Sequence, residues 1–337
     1  MNVDKLHQDA LIMDGLVFYS DHYAKNLLAA HINAVNLTVS HFEADFETAC
    51  DQIAAWRTVA LTPESDWHIV NDVSDIDSAR QTNKIGLIMG WQNMRPIGDN
   101  LDRIEFFHRL GIRIMQPTYN YRNFMGDGCL EKNNGGLSRL GTDAIRIMNE
   151  LGIAVDLSHV GERTSQMAVE ASAKPVLITH ANSKTVVNIP RNKSDNLIKA
   201  VAEKGGVIGT SIYCTMCWNS DPKRRPAISD YIAQLEHIVE LVGVEHIAIG
   251  TDLPAVSHLD KVSHITEMTL NRFPAAVVDY VQAFGNDIKT RYLSDCSSHT
   301  ELVHVTSALL ERGWTEGQVR GLLGENLHRT LSTIWAN

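Results

Sequence analysis

The feature that most constrains the fold is a regular alternation of short apolar runs with longer amphipathic ones. Each apolar run is rich in Ile, Val or Leu and shows little polar alternation, which is typical of strands buried on both faces of a parallel sheet. The runs occupy residues 10–14, 33–39, 85–90, 112–116, 152–157, 175–179, 206–211 and 246–251. The sequence therefore predicts eight buried, parallel strands.

The stretches between these runs carry helical patterns. Helices are predicted at 46–60, 100–110, 140–151, 164–171, 195–204 and 228–242. Glycine follows four of them, at Gly111, Gly152, Gly205 and Gly243, where this residue commonly ends a helix. Strands that alternate with helices predict an α/β protein.

Two α/β architectures compete, an open doubly wound sheet and a closed (β/α)8 TIM barrel. No GxGxxG follows the first predicted strand, which weakens the dinucleotide-binding form of the open sheet. Eight strand–helix units in 337 residues favour the barrel. We expect one barrel domain over residues 1–337, with an irregular segment at 253–298 over its mouth and two closing helices at 299–334, the second starting at a Thr315–Gln318 capping box.

Composition excludes several classes of partner. The chain has 30 Lys and Arg against 40 Asp and Glu, a net charge of -10, which argues against nucleic acid or an anionic membrane surface. It contains no run of about 18 apolar residues that would span a membrane. Five scattered cysteines without a secretory signal indicate reduced thiols and a cytoplasmic location.

In a TIM barrel the chemistry lies at the carboxyl ends of the strands. The fifth, sixth and eighth predicted strands end at His159, His180 and Asp252, and the third and fourth run into Gln92 and Tyr119. Neutral imidazoles bind zinc, and a carboxylate can ligate a metal or accept a proton from water. Of 15 histidines, therefore, only two fall where a metal-dependent site is expected.

Several ordered motifs resemble the membrane (renal) dipeptidase family, peptidase family M19. They are DLSHV at 156–160, TH at 179–180, PRNKSD at 190–195, IGTD at 249–252, GGLSRLG at 135–141 and GENLHR at 324–329. The resemblance implies an amidohydrolase-like barrel whose typical members hydrolyse dipeptides, some with a D-residue second, at a binuclear zinc centre. It places His159 and His180 as ligands of the second zinc and Asp252 as the catalytic Asp. It also places Arg191 at the substrate carboxylate, which a guanidinium fork matches.

Other positions depart from the family pattern. The family's first-zinc His and Asp correspond to Leu16 and Phe18, its bridging Glu corresponds to Gln92, and a substrate-polarising His corresponds to Tyr119. The first zinc site is therefore expected to be empty. His159 and His180, with Asp252 as a third candidate, could hold at most one zinc ion. Substitute ligands are conceivable in loops, at His22, His41, His258 and His264.

Three functions remain open at this point. The first is a hydrolase that cleaves a dipeptide, an N-acyl amino acid or a similar small amide with metal-activated water. In it Asp252 is the general base, Arg191 holds a substrate carboxylate, and Tyr119 or Gln92 donates a hydrogen bond to the oxyanion. The alternative is a metal-free, small-molecule-binding pseudoenzyme, and a lyase or isomerase on the same barrel is not excluded. A homodimer is one expectation for the quaternary state.

Overall fold

The computed structural model describes residues 2–336, and within them strands and helices alternate along the chain. The strands are β1 Met13–Ser20, β2 Ala34–Thr38, β3 Trp67–Ile69, β4 Ile85–Trp91, β5 Ile112–Met115, β6 Ala154–Val155, β7 Leu177–Ile178, β8 Val207–Thr210, β9 Ile247–Ile249 and β10 Leu253–Ala255. Every pairing between these strands is parallel, as the buried apolar runs predict.

The helices pack around these strands. They are α1 Val3–Asp9, α2 Lys25–Ala29, α3 Phe46–Ala60, α4 Val73–Gln81, α5 Asp102–Arg109, α6 Arg139–Leu151, α7 Glu162–Ala171, α8 Asp195–Glu203, α9 Cys214–Cys217, α10 Ile228–Val242, α11 Ser263–Arg272, α12 Val278–Phe284, α13 Leu302–Glu311, α14 Glu316–Arg320 and α15 Asn326–Trp335. Local side chains fix several of their starts. Asp45 accepts a hydrogen bond from the Thr48 N–H at 2.9 Å, and Thr315 forms the expected capping box with Gln318.

The strands close into a barrel with eight strand positions around the ring. One path runs β10–β1–β2–β4–β5–β6, and a second sheet runs β7–β8–β9. A parallel bridge between Asp156 and Leu177 joins the two. The eighth strand position is occupied by β9 and β10, which are separated by residues 250–252. Strand β10 pairs with β1 and completes the ring. The predicted (β/α)8 TIM barrel is therefore confirmed.

One buried cluster shows how the barrel is filled. It includes one residue from each of the eight strand positions: Met13, Ala34, Ile88, Ile114, Ala154, Leu177, Val207 and Ala248. Leu327, Leu331 and Ile334 of α15 belong to the same cluster, so the last helix covers this end of the barrel. Apolar packing there stabilises the ring, and the opposite end is left for chemistry.

The structure differs from the sequence-based prediction in three places. The first strand was expected at 10–14 but begins at Met13 and runs to Ser20, because the apolar residues before it form the turn after α1. The short strand β3 gave no signal, since it has only three residues and pairs with the beginning of β4. The segment at 253–298 opens as strand β10 rather than as an irregular loop.

The rest of that segment consists of short helices and turns beside the barrel mouth. It contains 3-10 turns as well as α11 and α12, and several of its residues reach the cavity at the carboxyl ends of the strands. Two closing helices were expected at 299–334, and the structure has α13 followed by α14 and α15 in this range. The assignment of residues 1–337 to a single domain stays a prediction.

Candidate active site

A cavity of about 500 Å³ opens at the carboxyl ends of the strands. Five of the six predicted site residues line it: Gln92, Tyr119, His159, Arg191 and Asp252. The sixth, His180, is outside the lining and fully buried, with its ring centroid 5.0 Å from that of His159. Residues from five different strand ends therefore meet in one place, as the barrel geometry requires.

The two imidazoles are oriented by their Nδ1 atoms. His159 Nδ1 lies 2.7 Å from Asn120 Oδ1, and His180 Nδ1 lies 2.8 Å from Thr179 Oγ1. An amide oxygen only accepts, so Nδ1 of His159 carries the proton and its Nε2 keeps a lone pair. Nε2 of His180 is buried and has no hydrogen-bond partner. Among residues 2–336, therefore, neither Nε2 atom forms a hydrogen bond.

Both imidazoles are held neutral. Burial lowers the pKa of His159 and of His180 well below the usual range, and the positive charge of Arg191 lowers it further. Neutral imidazole is the form that binds metals or accepts a hydrogen bond.

A buried carboxylic group ties the two histidine-bearing strand ends together. Ser158 Oγ donates to Asp156 Oδ1 at 2.6 Å, and Thr179 Oγ1 donates to Asp156 Oδ2 at 2.8 Å. Burial raises the pKa of Asp156 despite these hydrogen bonds. Asp156 is thereby a positioning residue, since it fixes the two segments that end in His159 and His180.

Asp252 lies between β9 and β10, in a left-handed backbone conformation with φ of 61°. Its N–H donates to the Leu16 carbonyl at 3.0 Å, and the Tyr292 hydroxyl donates to its own carbonyl at 2.6 Å. Few non-glycine residues adopt this conformation, and strain of this kind is concentrated at functional sites. The surrounding hydrogen bonds hold the carboxyl toward the cavity.

The ionisation of Asp252 is shifted. Burial raises its pKa to about 7, with Arg191 opposing the shift and the nearby Asp14 adding to it. The Asp252 residue is partly accessible, and it lines the cavity. A carboxyl with a pKa near 7 can both accept and return a proton at neutral pH.

The neighbouring Asp14 belongs to the support of the site and was not predicted. Its carboxylate accepts hydrogen bonds from the Thr251 N–H at 2.8 Å and the Leu16 N–H at 3.1 Å, and it lies 3.0 Å from Nε2 of His299. These contacts hold β1 and the residue before Asp252. His299 carried no local signal because it lies 285 residues from Asp14 in the chain.

Tyr119 and Gln92 present polar groups from the adjacent wall. Burial and the Asp252 carboxyl raise the pKa of Tyr119, so its phenol remains a hydrogen-bond donor. Gln92 Nε2 donates to Thr38 Oγ1 at 3.0 Å, and its buried Oε1 has no partner. Phe42 stacks on Tyr119 with centroids 4.3 Å apart and orders the ring from outside.

Arg191 is held by the backbone of the two histidine segments. Its guanidinium donates to the carbonyl oxygens of Ser158 and His180, the latter at 3.1 Å, and the residue is 7 % exposed. A guanidinium has five N–H donors, so some remain for a ligand in the cavity. Its fixed position suits it to bind a carboxylate.

The residues fit a binuclear metal centre poorly. Among residues 2–336 no group of three or more His, Cys, Asp or Glu side chains is placed to hold a metal ion. Phe18 lines the cavity and Leu16 is buried, and neither has a ligand atom on its side chain. What remains is the His159–His180 pair, whose free Nε2 atoms suit at most one ion.

The other loop histidines are distributed around the mouth. His22, His41 and His264 line the cavity, whereas His258 lies outside its lining. His41 Nδ1 accepts the Glu43 N–H at 3.0 Å, so Nε2 carries the proton; that atom is buried and without a partner. His41 is thus arranged as a hydrogen-bond donor.

Some cavity residues could not be expected from the sequence. Asn120, which orients His159, follows Tyr119 without a distinguishing pattern. Arg291 and Tyr292 come from the irregular segment and reach the site only through the fold of the mouth. The nearest available signal was that this segment covers the active end of the barrel.

The comparisons with known proteins agree on one family. The family model described as membrane dipeptidase (peptidase family M19) matches residues 2–272. An uncharacterized dipeptidase of Schizosaccharomyces pombe is 28% identical over 61% of this chain and 50% of its own length. The dipeptidase tcpJ of Claviceps purpurea is 24% identical over 79% of this chain and 55% of its own length. The chain spans about half the length of these curated relatives.

Solved structures share the fold. A structure described as an amidohydrolase from Pseudomonas aeruginosa is 29% identical, covers 100% of both chains and superposes with a TM-score of 0.85. A metallo peptidase from Rhodobacter sphaeroides, liganded with a phosphinate mimic of the dipeptide L-Ala-D-Ala, has the same fold. It superposes with a TM-score of 0.79 at 16% identity over 97% of this chain and 100% of that chain.

Within residues 2–336, no helix combines the length and the apolar character needed to cross a membrane.

Proposed function

Because this chain belongs to the membrane dipeptidase family, peptidase family M19, we propose that it is a hydrolase that cleaves a dipeptide or a similar small amide. One observation carries the proposal. Asp252, a carboxyl with a pKa raised to about 7, faces the same cavity as Arg191 and the neutral His159. Amide hydrolysis needs a proton acceptor, a means of orienting the substrate and stabilisation of the oxyanion, and this cavity contains groups suited to each.

Arg191 orients the substrate in this proposal. Its guanidinium binds the substrate carboxylate through two parallel N–H bonds. Because two backbone carbonyls already hold the side chain, little conformational entropy is lost when substrate binds. The scissile amide then lies between this anchor and Asp252.

Asp252 moves the proton. In its ionised form it accepts a proton from the attacking water as the new C–O bond forms, and it then returns that proton to the leaving nitrogen as the C–N bond breaks. Its pKa of about 7 balances these two roles at neutral pH, since neither protonation state is strongly favoured.

Tyr119 stabilises the developing oxyanion. Its phenol stays protonated because the pKa is raised, so it can donate a hydrogen bond to the carbonyl oxygen as negative charge accumulates there. Gln92 stands beside it as a second candidate donor, although one of its N–H groups already bonds Thr38.

The binuclear zinc centre of the family does not fit these residues, and no step above depends on one. We propose that the His159–His180 pair holds at most one zinc ion. When bound, such an ion would polarise the scissile carbonyl as a Lewis acid. Asp252 remains a candidate third ligand, and His22, His41 and His264 on the wall remain candidate substitutes. His258 is the least suited because it lies outside the lining.

The dipeptidase relatives support the hydrolase over the metal-free pseudoenzyme. The partner is then a small-molecule substrate that carries a carboxylate. We also propose a cytoplasmic location, which is supported by the five cysteines, all of them free thiols.

Two measurements test this proposal. Metal content is determined after mild purification, and a panel of dipeptides and N-acyl amino acids is assayed with and without added zinc. We expect amide hydrolysis for part of the panel and no more than one zinc ion per chain. If no amide is cleaved under either condition while zinc or ligands still raise Tm, the pseudoenzyme explains the protein better.

A further inference from the structure

The charges around the cavity are unbalanced. Among the described residues that line it, Asp252 is the one acidic side chain, whereas Arg191 and Arg291 are both permanently charged. Of the acids beside the lining, Asp21 is paired with Lys261, Glu43 is paired with Arg95 at 3.1 Å, and Asp14 is buried behind Asp252 in contact with Thr251 and His299. The lining residues themselves therefore present two permanent positive charges against one carboxyl group.

Arg291 is one of these two positive charges, and among residues 2–336 it has no acidic partner. It is 1 % exposed and donates to the Tyr213 hydroxyl at 2.9 Å and to the Asn286 side-chain oxygen, and its Nε has no acceptor. Within residues 2–336 no carboxylate forms an ion pair with it. Buried cations are usually paired with an acid. The unpaired Arg291 guanidinium therefore disfavours the binding of a further cation in the cavity.

Among the described residues that line the cavity, those on the β1 and β2 side carry no negative charge. Phe18 is apolar, and the proton on Nε2 of His41 makes that atom a donor. The hydroxyls of Ser20 and Ser40 are buried there without hydrogen-bond partners. An ammonium group needs acceptors, preferably charged ones, and this wall presents none that is charged.

We propose that the preferred substrate is an N-acyl amino acid whose acyl part carries no ammonium group, rather than a dipeptide with a free amino terminus. This inference rests on the proposed hydrolase function and narrows its substrate class. Water attacks the acyl carbon, the C–N bond breaks, and the water's protons are divided between the departing amine and the carboxylic acid product. Arg191 binds the carboxylate of the amino acid, and the apolar wall at Phe18 receives the acyl chain.

A matched pair of substrates tests the proposal directly. Propionyl-leucine and alanyl-leucine differ only in the amino group, and both enantiomers of leucine are used. Because like charges in a partly desolvated cavity repel by more than about 1.4 kcal/mol, kcat/KM at pH 7 is expected to favour the propionyl compound by at least about tenfold. The ratio is expected to narrow as pH rises past about 8, where the α-amino group of the dipeptide loses its charge. Enzyme groups that titrate affect both substrates and cancel in the ratio.

A conservative variant tests the electrostatic cause. Gln52 lines the cavity and accepts the His41 N–H at 2.9 Å, a bond that a glutamate could also accept. Gln52→Glu is expected to lower the propionyl-to-alanyl ratio several-fold, whereas Gln81→Glu, the same change at an exposed position outside the lining, leaves it unchanged. An unchanged ratio in Gln52→Glu would overturn the electrostatic argument.

The outcomes separate this inference from the proposed function. If alanyl-leucine is cleaved as well as propionyl-leucine or better at pH 7, the substrate inference is wrong and the hydrolase remains. If neither these compounds nor the wider panel is cleaved, the hydrolase itself is wrong, and the inference falls with it.

Discussion

The ring of Tyr119 stacks on the imidazole of His159, with centroids 4.0 Å apart and planes inclined by 26°. On its other face Tyr119 stacks against Phe42, so the three rings form a column along the cavity wall. The resemblance to the dipeptidase family places a histidine where Tyr119 stands. In this chain an aromatic phenol therefore combines two tasks, since it orders His159 and offers a hydroxyl to the substrate.

Substitution of Tyr119 separates these tasks. Tyr119→Phe keeps the stack and removes the hydroxyl, so kcat is expected to fall by about tenfold to a hundredfold with an unchanged Tm. Tyr119→Leu removes both and is expected to lose about a further 1 kcal/mol of stability from the aromatic contacts. Steady-state kinetics and thermal unfolding of both variants distinguish the two effects. Equal kcat in Tyr119→Phe and wild type would rule out the oxyanion role.

The role of Arg191 is tested through the substrate, because its guanidinium also holds two backbone carbonyls. Replacing the substrate carboxylate with a carboxamide is expected to lower wild-type kcat/KM by about 10–100-fold, the value of a charge-assisted hydrogen bond. Arg191→Met should discriminate little between the two substrates. If wild type cleaves both equally well, the carboxylate is bound elsewhere.

Zinc binding is expected to be weak and limited to one ion per chain. Titration calorimetry of metal-free protein should give a stoichiometry no higher than one, and His180→Ala should abolish the signal. Gln92→Glu adds a carboxylate to a wall of the same cavity and should tighten binding by about tenfold or more. A stoichiometry of two in the wild type would contradict the interpretation of Leu16 and Phe18.

Asp252 should make stability depend on pH. Its pKa rises from 3.8 to about 7 on folding, so between these values the folded state binds more protons than the unfolded state. Stability is therefore fully present below about pH 4 and is lost as pH rises toward 7. Asp252→Asn removes this loss, and Asn also tolerates positive φ. At pH 8 the variant should melt about 2–4 °C above wild type, with little difference at pH 4, when thermal unfolding is followed at both values. A constant difference would contradict the pKa shift.

Local patterns predicted what local physics determines. The helix at 46–60 was placed correctly because Asp45 provides a strong cap and the apolar spacing is regular. His159 and Asp252 line the cavity and His180 lies next to His159, because strand ends in a barrel converge there, and their roles stay predictions.

The features that could not be predicted from the sequence depend on long-range contacts or belong to short elements. The Asp14–His299 contact joins residues 285 apart, and no pattern near either residue indicates it. The position of Arg291 in the cavity could not be predicted either, because the segment that contains it has no apolar periodicity. Strand β3 has too few residues for an apolar pattern to emerge.

The most direct test of the account compares wild type with Asp252→Asn in hydrolysis of an N-acyl amino acid that the wild type cleaves. Product release is measured at pH 7, and binding of the substrate to both proteins is followed by thermal shift. The account predicts that the variant is folded and binds substrate but turns it over about 10²–10⁴-fold more slowly, because the proton acceptor is lost. Turnover by Asp252→Asn within a few-fold of wild type would contradict it.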